Sequence, residues 1–249
     1  MIEEKNVLGR RDHKVIFKDK NLVIKRFDKN YKKSQILNEA FNMSRVEETS
    51  LNVPALVSVK TGEDDLEIAM EYIEGCTLKA LMQSDEEHLD RYVNTFVDLQ
   101  IQIHETNAPI LTKMKEKLDH KIKHAPLAAT TRMGLRLSLD HHHADLCLCH
   151  GDFFPSNVII SKNNTPYIVD WSHASLGSPF ADVCNTYLDL WIVFSKDFAD
   201  KYLAVYLEKT KATREDILSW LSVIIAARLS KNIESEREFL LDLLKSYMA

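Results

Sequence analysis

The chain has 249 residues, 45% hydrophobic and 28% charged, enough for one large domain or two lobes with a substantial core. Its 32 basic and 37 acidic residues give a net charge of −5, which argues against a general nucleic-acid-binding protein and mildly favours a cationic ligand. No apolar signal core or membrane-spanning apolar run occurs, so we expect no membrane association. The 4 cysteines are too few for a secreted disulfide framework, and we expect reduced thiols in the cytoplasm.

The first third of the chain is predicted to form a small sheet with one helix. Residues 7–27 read as a β meander with strands at 14–17 and 22–27, and later strands follow at 53–59 and 66–73, the last two joined by a turn at 61–65. Ser34 opens a helix that runs to Val46. Residues 9–14 carry one glycine and several basic side chains, which fits either a phosphate-binding loop or a basic surface turn.

The rest of the chain is predicted to be mainly helical. His104 lies near the end of one of these helices, and we expect it to be the polar end of a core helix and not a metal ligand. Thr213 is the expected N-cap of another helix. A strand at 146–149 leads into the stretch that carries the chemistry. The predicted helices span residues 77–82, 89–105, 113–123, 133–139, 182–194, 198–209, 215–229 and 235–248.

Residues 149–182 carry the strongest chemical pattern. Asp152 is followed by four residues and then Asn157, after which two short apolar segments are joined by Asn163-Asn164, a pair that suits a tight turn. Asp170 ends the second segment, so a hairpin would bring the oxygen-bearing side chains to one end. Carboxylate and amide oxygens suit Mg²⁺, and the first aspartate can accept a proton from an attacking hydroxyl group. An ordinary hairpin with capping polar residues is the alternative interpretation.

The order H-G-D-F-F-P-S-N, V-D-W and G-S-P-F-A-D, which ends at Asp182, resembles the aminoglycoside phosphotransferase and choline kinase family of protein-kinase-like enzymes. Asp170-Trp171-Ser172 replaces the Asp-Phe-Gly of protein kinases, and no Ala-Pro-Glu or long activation loop follows, which favours a small-molecule kinase. The resemblance implies an α+β, protein-kinase-like two-lobe fold. Its small, mainly antiparallel β lobe would span residues 1–73 and bind nucleotide, and its larger α-helical lobe would span residues 74–249 and carry catalysis and acceptor binding.

The resemblance also implies roles for residues of the 149–182 stretch. Asp152 would be the catalytic base that accepts the proton of the acceptor hydroxyl group. Asn157 and Asp170 would bind Mg²⁺. His150 would support the loop through hydrogen bonds, and Asp182 would brace the loop from the start of the following helix.

In the first lobe, the resemblance implies a nucleotide site. Lys25 lies in V-I-K, close to the kinase strand motif V-A-I-K, and would bind the α and β phosphates and pair with Glu39. The alternatives are that Lys25 snorkels to solvent and that Glu39 is a solvated helix residue. Met70 would pack behind adenine, while the Glu71 carbonyl and the Ile73 N–H would bind its edge.

These features predict transfer of the γ-phosphoryl group of ATP or GTP to a small-molecule hydroxyl group, above all on an aminoglycoside-like amino sugar. Choline, homoserine, a methylthio-sugar or a macrolide are open alternatives. A nucleotide-binding pseudokinase regulator is a second class, and a hydrolase using Asp152 and Asp170 is a third, although it leaves Asn157 and Lys25 unexplained. We expect nucleotide and acceptor as partners, with no nucleic acid, membrane or obligate protein partner. In such a family, acidic residues of the late helices, here among residues 234–242, line the acceptor pocket, although most here are expected to be helix surface.

Overall fold

The structure is a computed structural model that describes residues 6–11, 13–62, 65–143 and 145–248. Asp12 of the predicted basic turn lies outside these ranges, as do Glu63 and Asp64 of the predicted turn at 61–65. Backbone contacts group the chain into two compact units. The first unit comprises Met1–Ser84 and Pro155–His173, and the second comprises Asp85–Phe154 and Ala174–Ala249.

Strands and helices are numbered separately in chain order. The strands are β1 Val7–Arg11, β2 Lys14–Asp19, β3 Leu22–Asp28, β4 Leu56–Thr61, β5 Asp65–Glu71, β6 Gly75–Thr77, β7 Cys147–Cys149, β8 Val158–Ser161, β9 Pro166–Ile168 and β10 Ser175–Gly177. The helices are α1 Lys33–Glu47, α2 Leu78–Ser84, α3 Leu89–Glu105, α4 Met114–His124, α5 Ala129–His141, α6 Pro179–Val193, α7 Lys196–Lys209, α8 Arg214–Leu218, α9 Leu221–Leu229 and α10 Glu234–Met248. No helix among the described residues is long and apolar enough to cross a membrane.

The first unit is built on an antiparallel five-stranded sheet. Its strand order is β1-β2-β3-β5-β4, and α1 packs against β4 and β5. Helix α1 buries Ile36, Ala40, Met43 and Val46, which recur at helical spacing and form one apolar face. The antiparallel β sheet predicted for this part of the chain is therefore confirmed.

A second, three-stranded sheet completes the first unit. Its order is β6-β8-β9, with both pairs antiparallel, so the hairpin predicted between Asn157 and Asp170 is present. Gly75 in β6 passes close to β8, since a Cβ atom there would lie 2.1 Å from the carbonyl oxygen of Ile160. The sequence placed a lobe boundary after Ile73, whereas the contacts continue the first unit to Ser84 because β6 pairs with β8.

The second unit is mainly helical, as predicted. Helix α6 packs against α7 and α9 and is apolar on most of its surface, as befits a central helix. Phe96 of α3 stacks on Phe153, with the ring centroids 4.4 Å apart and the planes 8° from parallel. Both rings are fully buried, so they are part of the core of this unit.

Several predicted elements differ from the structure. The meander has an additional strand, β1, which pairs with β2, so the one-glycine segment forms part of a hairpin. Strand β4 begins at Leu56 and not at Val53, since Pro54 cannot donate a ladder hydrogen bond. The predicted 215–229 helix is split into α8 and α9, where the Trp220 N–H bonds the Ile217 carbonyl in a tighter turn.

We expect Phe96→Ala to lower the free energy of unfolding by ~3–5 kcal/mol, because the cavity would remove the stacked partner of Phe153. Leu137→Ala is the control, since Leu137 is 52% exposed and its truncation should cost less than ~0.5 kcal/mol. Urea denaturation followed by circular dichroism measures both changes. Equal losses in the two variants would show that the ring pair contributes nothing specific to the core.

Candidate active site

Buried Lys25 is at the centre of an ion-pair triad within the first unit. It lies on the same buried side of β3 as Phe27, because side chains two residues apart in a strand share a face, and only 4% of the residue is exposed. Its Nζ atom lies 2.5 Å from Glu39 Oε1 and 2.8 Å from Asp170 Oδ1. Glu39 is itself 3% exposed on α1, so neither residue is a solvated surface charge.

The two carboxylates determine the charge of Lys25. Burial alone would lower the pKa of its ammonium group, but the charges and hydrogen bonds of Asp170 and Glu39 outweigh burial and raise the pKa above its ordinary value. Burial and the same carboxylates also raise the pKa of Tyr31, whose ring packs on Phe27 at 4.9 Å between centroids. Lys25 is therefore a fixed positive charge and Tyr31 a neutral hydroxyl group across the neutral pH range.

The β8–β9 hairpin places Asn157 and Asp170 next to each other. The Val169 N–H donates to the Asn157 carbonyl at 2.9 Å. Asp170 is the next residue after Val169, so its backbone lies close to that of Asn157. Asn164 has φ 57° in the hairpin turn, which confirms that this turn uses a left-handed residue. Asp170 has φ 65°, and this left-handed conformation occurs at the point where the carboxylate meets Lys25.

Helix α1 also holds the segment that follows Asp170. Asn42 is buried, and its Nδ2 donates to the carbonyl oxygens of Trp171 and Ser172, each at 3.2 Å. The Trp171 indole N–H in turn donates to the Ile168 carbonyl at 3.0 Å. Asn42 was not among the site residues predicted from the sequence. Its signal is a polar residue one helical turn after Glu39, on the inward face of α1.

The three residues predicted to hold adenine lie at the end of β5 and just beyond it. Met70 is buried and pairs with Val23 and Leu56 on the neighbouring strands. Glu71 is exposed and ends the strand, and Ile73 is buried two residues later. Because the proposed contacts of the last two use backbone groups, their roles stay predictions.

In the second unit, Asp182 anchors the loop that contains Asp152. Its carboxylate is buried in the first turn of α6 and accepts from the Gly151 N–H at 2.7 Å and from the His150 N–H at 3.2 Å. Gly151 has φ 76°, a conformation that favours glycine. The buried His150 ring accepts from the Asp152 N–H through Nδ1 at 3.3 Å. Both residues predicted to support the loop thus contact its backbone.

His104 is a further support that sequence analysis did not assign to this loop. Its Nε2 donates to Asp182 Oδ2 at 3.1 Å, and its side chain is 7% exposed. Burial raises the pKa of Asp182, but the hydrogen bond and charge of His104, with smaller effects from His150 and the Gly151 N–H, lower it below its ordinary value. The sequence predicted that His104 lies at the end of a core helix, but it did not predict that Asp182 is its partner.

Asp182, His104 and Cys149 place their possible metal-ligating atoms within 4.8 Å of one another. The three do not fit a metal ion. The carboxylate oxygens of Asp182 already accept backbone and imidazole N–H groups. The Cys149 thiol donates to the carbonyl oxygens of Cys147 and Ser178, and burial raises its pKa, whereas metal binding needs the thiolate. The cluster is therefore a hydrogen-bonded brace.

Comparison with known proteins gives a family and a fold. A protein-family model described as "Phosphotransferase enzyme family" matches residues 7–217. None of the curated proteins compared with the chain matches it significantly. Among solved structures, the apo form of a thermostable mutant of aminoglycoside phosphotransferase APH(4)-Ia is similar with a TM-score of 0.71 and 12% identity, covering 96% of this chain and 92% of that one.

Two further structures show the same fold. Choline kinase LicA from Streptococcus pneumoniae has a TM-score of 0.64 and 17% identity, covering 97% of this chain and 92% of that one. A ternary complex of an APH(4)-Ia mutant with ADP and hygromycin B has a TM-score of 0.61 and 15% identity, covering 95% and 86%. The protein-kinase-like α+β fold implied by the sequence resemblance is confirmed.

We expect Asp182→Asn to lower the free energy of unfolding at pH 7 by on the order of 3 kcal/mol, because it removes the charge that two N–H groups and His104 share. The folded pKa of Asp182 is depressed, so its stabilisation is complete above its ordinary pKa of about 4 and is lost as pH falls through the folded value. The stability difference from wild type should therefore shrink below about pH 4.

Urea denaturation at pH 7 and at acidic pH measures this difference. Asp98→Asn is the control, because Asp98 is 60% exposed and its pair with Lys209 should contribute less than ~1 kcal/mol. A difference between wild type and Asp182→Asn that grew on acidification would contradict the assignment.

Proposed function

Since this chain belongs to the phosphotransferase enzyme family and is a small-molecule kinase, we propose that it transfers the γ-phosphoryl group of ATP to a hydroxyl group of its acceptor. The observation that carries the proposal is the triad of buried Lys25, buried Glu39 and half-buried Asp170, with the Asn157 backbone bonded to the residue before Asp170. A lysine held charged in an apolar strand by two carboxylates suits contact with phosphate groups. Neither a structural core nor a simple binding surface needs this combination.

In this proposal, the first unit binds the nucleotide. Lys25 contacts the α and β phosphates, and Glu39 fixes the direction of its side chain. Met70 packs behind adenine, with the Glu71 carbonyl and the Ile73 N–H at the edge of the base. The ADP bound in the ternary complex of the APH(4)-Ia mutant supports ATP as the donor, and GTP remains an alternative from sequence alone.

Asn157 and Asp170 fit a hard divalent cation. Both offer oxygen atoms, they lie side by side at the end of one hairpin, and the carboxylate is already oriented by Lys25. We propose that they hold Mg²⁺, which would neutralise charge on the transferring phosphate when bound. The amide supplies a neutral ligand and the carboxylate a charged one, so the two substitutions should differ in effect.

Asp152 is the proposed general base. Its carboxylate accepts the proton of the acceptor hydroxyl group while that oxygen forms a bond to the γ phosphorus. The bond between the γ phosphorus and the bridging oxygen breaks, and ADP leaves with the electron pair. Asp182 and His150 hold the backbone on both sides of Gly151, which limits the positions that Asp152 can adopt.

The pseudokinase alternative has one supporting observation, the single glycine in residues 9–14, where a kinase has its glycine-rich loop. Lys25, Asp152, Asn157 and Asp170 are all present, and a pseudokinase would have lost at least one.

An amino sugar remains the acceptor class expected from sequence, and the hygromycin B bound in the APH(4)-Ia complex supports it. The choline kinase neighbour supports a smaller acceptor. The four cysteines form no disulfide, which supports a cytoplasmic location.

We expect Lys25→Ala to reduce kcat/KM for ATP by at least ~10²-fold, because a preorganised positive charge at the phosphates is lost. Lys60→Ala on β4 is the control, since Lys60 is exposed on the same sheet. The Lys25 variant leaves the buried Glu39 carboxylate without its counter-charge, so Lys25→Met combined with Glu39→Gln provides a less charged background. Thermal shifts with Mg-ATP, together with kinetics at varied ATP, measure the effect. Unchanged kcat/KM in both Lys25 variants would remove Lys25 from the nucleotide site.

We expect Asp152→Asn to lower kcat by at least ~10²-fold with little change in KM for ATP, since the amide keeps the size but loses the basicity. Asn157→Ala should also raise the Mg²⁺ concentration needed for half-maximal rate. A phosphate-transfer screen over hydroxylated metabolites and antibiotics supplies the acceptor, and rates are then measured against Mg²⁺ concentration. Rescue of Asp152→Asn by added Mg²⁺ would make Asp152 a metal ligand and not the base.

A further inference from the structure

Helix α6 carries a polar stripe although most of its residues are apolar. The four members of the stripe recur at helical spacing, which places them on one face of the helix: Asp182, Asn185, Thr186 and Asp189. Asn185 is half-buried and the other three are buried. Since a buried polar group is destabilising unless it forms hydrogen bonds, the partners of the stripe indicate its role.

Two members of the stripe bind carbonyl groups on either side of Asp152. Asn185 Nδ2 donates to the Gly151 carbonyl at 3.5 Å, and the Thr186 hydroxyl group donates to the Phe153 carbonyl at 3.0 Å. The residue before Asp152 and the residue after it are therefore both bound to α6. The shorter contact is that of Thr186.

A buried chain of hydrogen bonds supports Thr186. The Tyr202 hydroxyl group donates to Gln100 Oε1, and Gln100 Nε2 donates to Thr186 Oγ1 at 3.1 Å. All three residues are fully buried, and burial raises the pKa of Tyr202, so its phenol keeps the proton that it donates. Because Thr186 Oγ1 accepts from the amide, its single proton is left for the Phe153 carbonyl.

The Phe153 ring is held by a different element from its carbonyl. It stacks on Phe96 of α3 with the ring centroids 4.4 Å apart, and the His150 ring packs edge-on against it at 5.7 Å. The hydrogen-bond chain from Tyr202 thus ends on the backbone of a residue whose ring is already fixed, and not on another buried side chain. This end point, next to Asp152, favours a role in positioning over a role in stability alone.

Asp189 orients the other contact. It accepts from Asn185 at 3.3 Å and from Arg228 at 2.9 Å, and Arg228 also binds Glu236 of α10. The Asn185 amide therefore bridges the Gly151 carbonyl and a carboxylate that is itself paired.

We propose that Thr186 is a positioning residue for the transfer reaction: its hydroxyl group fixes the Phe153 carbonyl and, through it, the direction of the Asp152 side chain. Asn185 adds a second restraint at Gly151. The inference rests on the proposed role of Asp152 as the general base and deepens it. Such a restraint matters because a displacement of ~1 Å in a catalytic group can slow a reaction by ~10²-fold.

Hydrogen exchange of the full chain, followed by mass spectrometry, tests the restraint without any ligand. We expect Thr186→Val, which keeps the branched shape but removes the hydroxyl group, to speed amide exchange in a peptide that contains residues 150–153 by at least ~5-fold. Thr186→Ser keeps the hydroxyl group and should restore the wild-type exchange rate. Thr210→Val is the matched control, because the Thr210 hydroxyl group also donates to a backbone carbonyl, that of Tyr206, at 2.8 Å, but not to the loop.

Steady-state kinetics test the consequence for the reaction. The assay measures ADP release from Mg-ATP with kanamycin, with choline or with water alone as the acceptor, in whichever condition the wild type turns over fastest. Thr186→Val should lower kcat by at least ~10-fold and change KM for ATP by less than ~2-fold, because the nucleotide site is untouched. Thr186→Ser should recover most of the lost kcat. Leu135→Ala in α5, a buried truncation, should lower Tm but leave kcat unchanged when kcat is measured well below Tm.

A second pair of variants serves if Thr186→Val alone fails to fold, since valine leaves Gln100 Nε2 without an acceptor. The background Gln100→Met/Tyr202→Phe removes the buried amide and phenol together, and the same Thr186→Val substitution is then made in it. The background retains the Thr186 hydroxyl group, so the comparison of the two proteins isolates that group.

Four results would overturn the proposal. They are unchanged exchange at residues 150–153 in Thr186→Val, faster exchange with unchanged kcat, a kcat loss that Thr186→Ser does not recover, and an equal kcat loss in Leu135→Ala. No ADP release by the wild type, together with no thermal shift from Mg-ADP, would contradict the proposed function instead. In that case the exchange rates still decide whether Thr186 holds the loop.

Discussion

The buried contact between Lys25 and two carboxylates is the constraint on which the first unit depends. A lone ammonium group in an apolar strand would be strongly destabilising, so the fold must deliver Glu39 from α1 and Asp170 from the β8–β9 hairpin to the same point. This explains why the hairpin, distant in sequence, belongs to the same compact unit as β3. It also explains why Asp170 adopts a left-handed backbone where the strand ends.

In the second unit, polar contacts fix the loop that contains Asp152. This loop includes Gly151 with a positive φ, and Asp182 binds its backbone from the N-terminal turn of α6. His104 and Asn185 extend the same network towards α3 and Asp189. Polar contacts thus fix the loop backbone and leave the Asp152 side chain to act on a ligand.

Local patterns predicted much of this structure. The hairpin followed from alternation and turn residues, which are short-range signals, whereas the Lys25–Glu39 pair was implied by the family resemblance. The partners of Asn42 and His104 and the contact of Arg228 with Asp189 could not be predicted, because each is a polar contact across tens of residues with no periodic signature. The break between α8 and α9 escaped prediction for a related reason, since buried Trp220 continues the apolar pattern of both helices.

Helix α1 presents Glu39 to Lys25 and, one turn later, Asn42 to the backbone after Asp170. The two side chains share a rigid element, so neither contact can be lost without straining the other. Substitutions at these positions should therefore show a coupling energy and not simple additivity. A displacement of α1 alone would therefore release Lys25 and the backbone after Asp170 together.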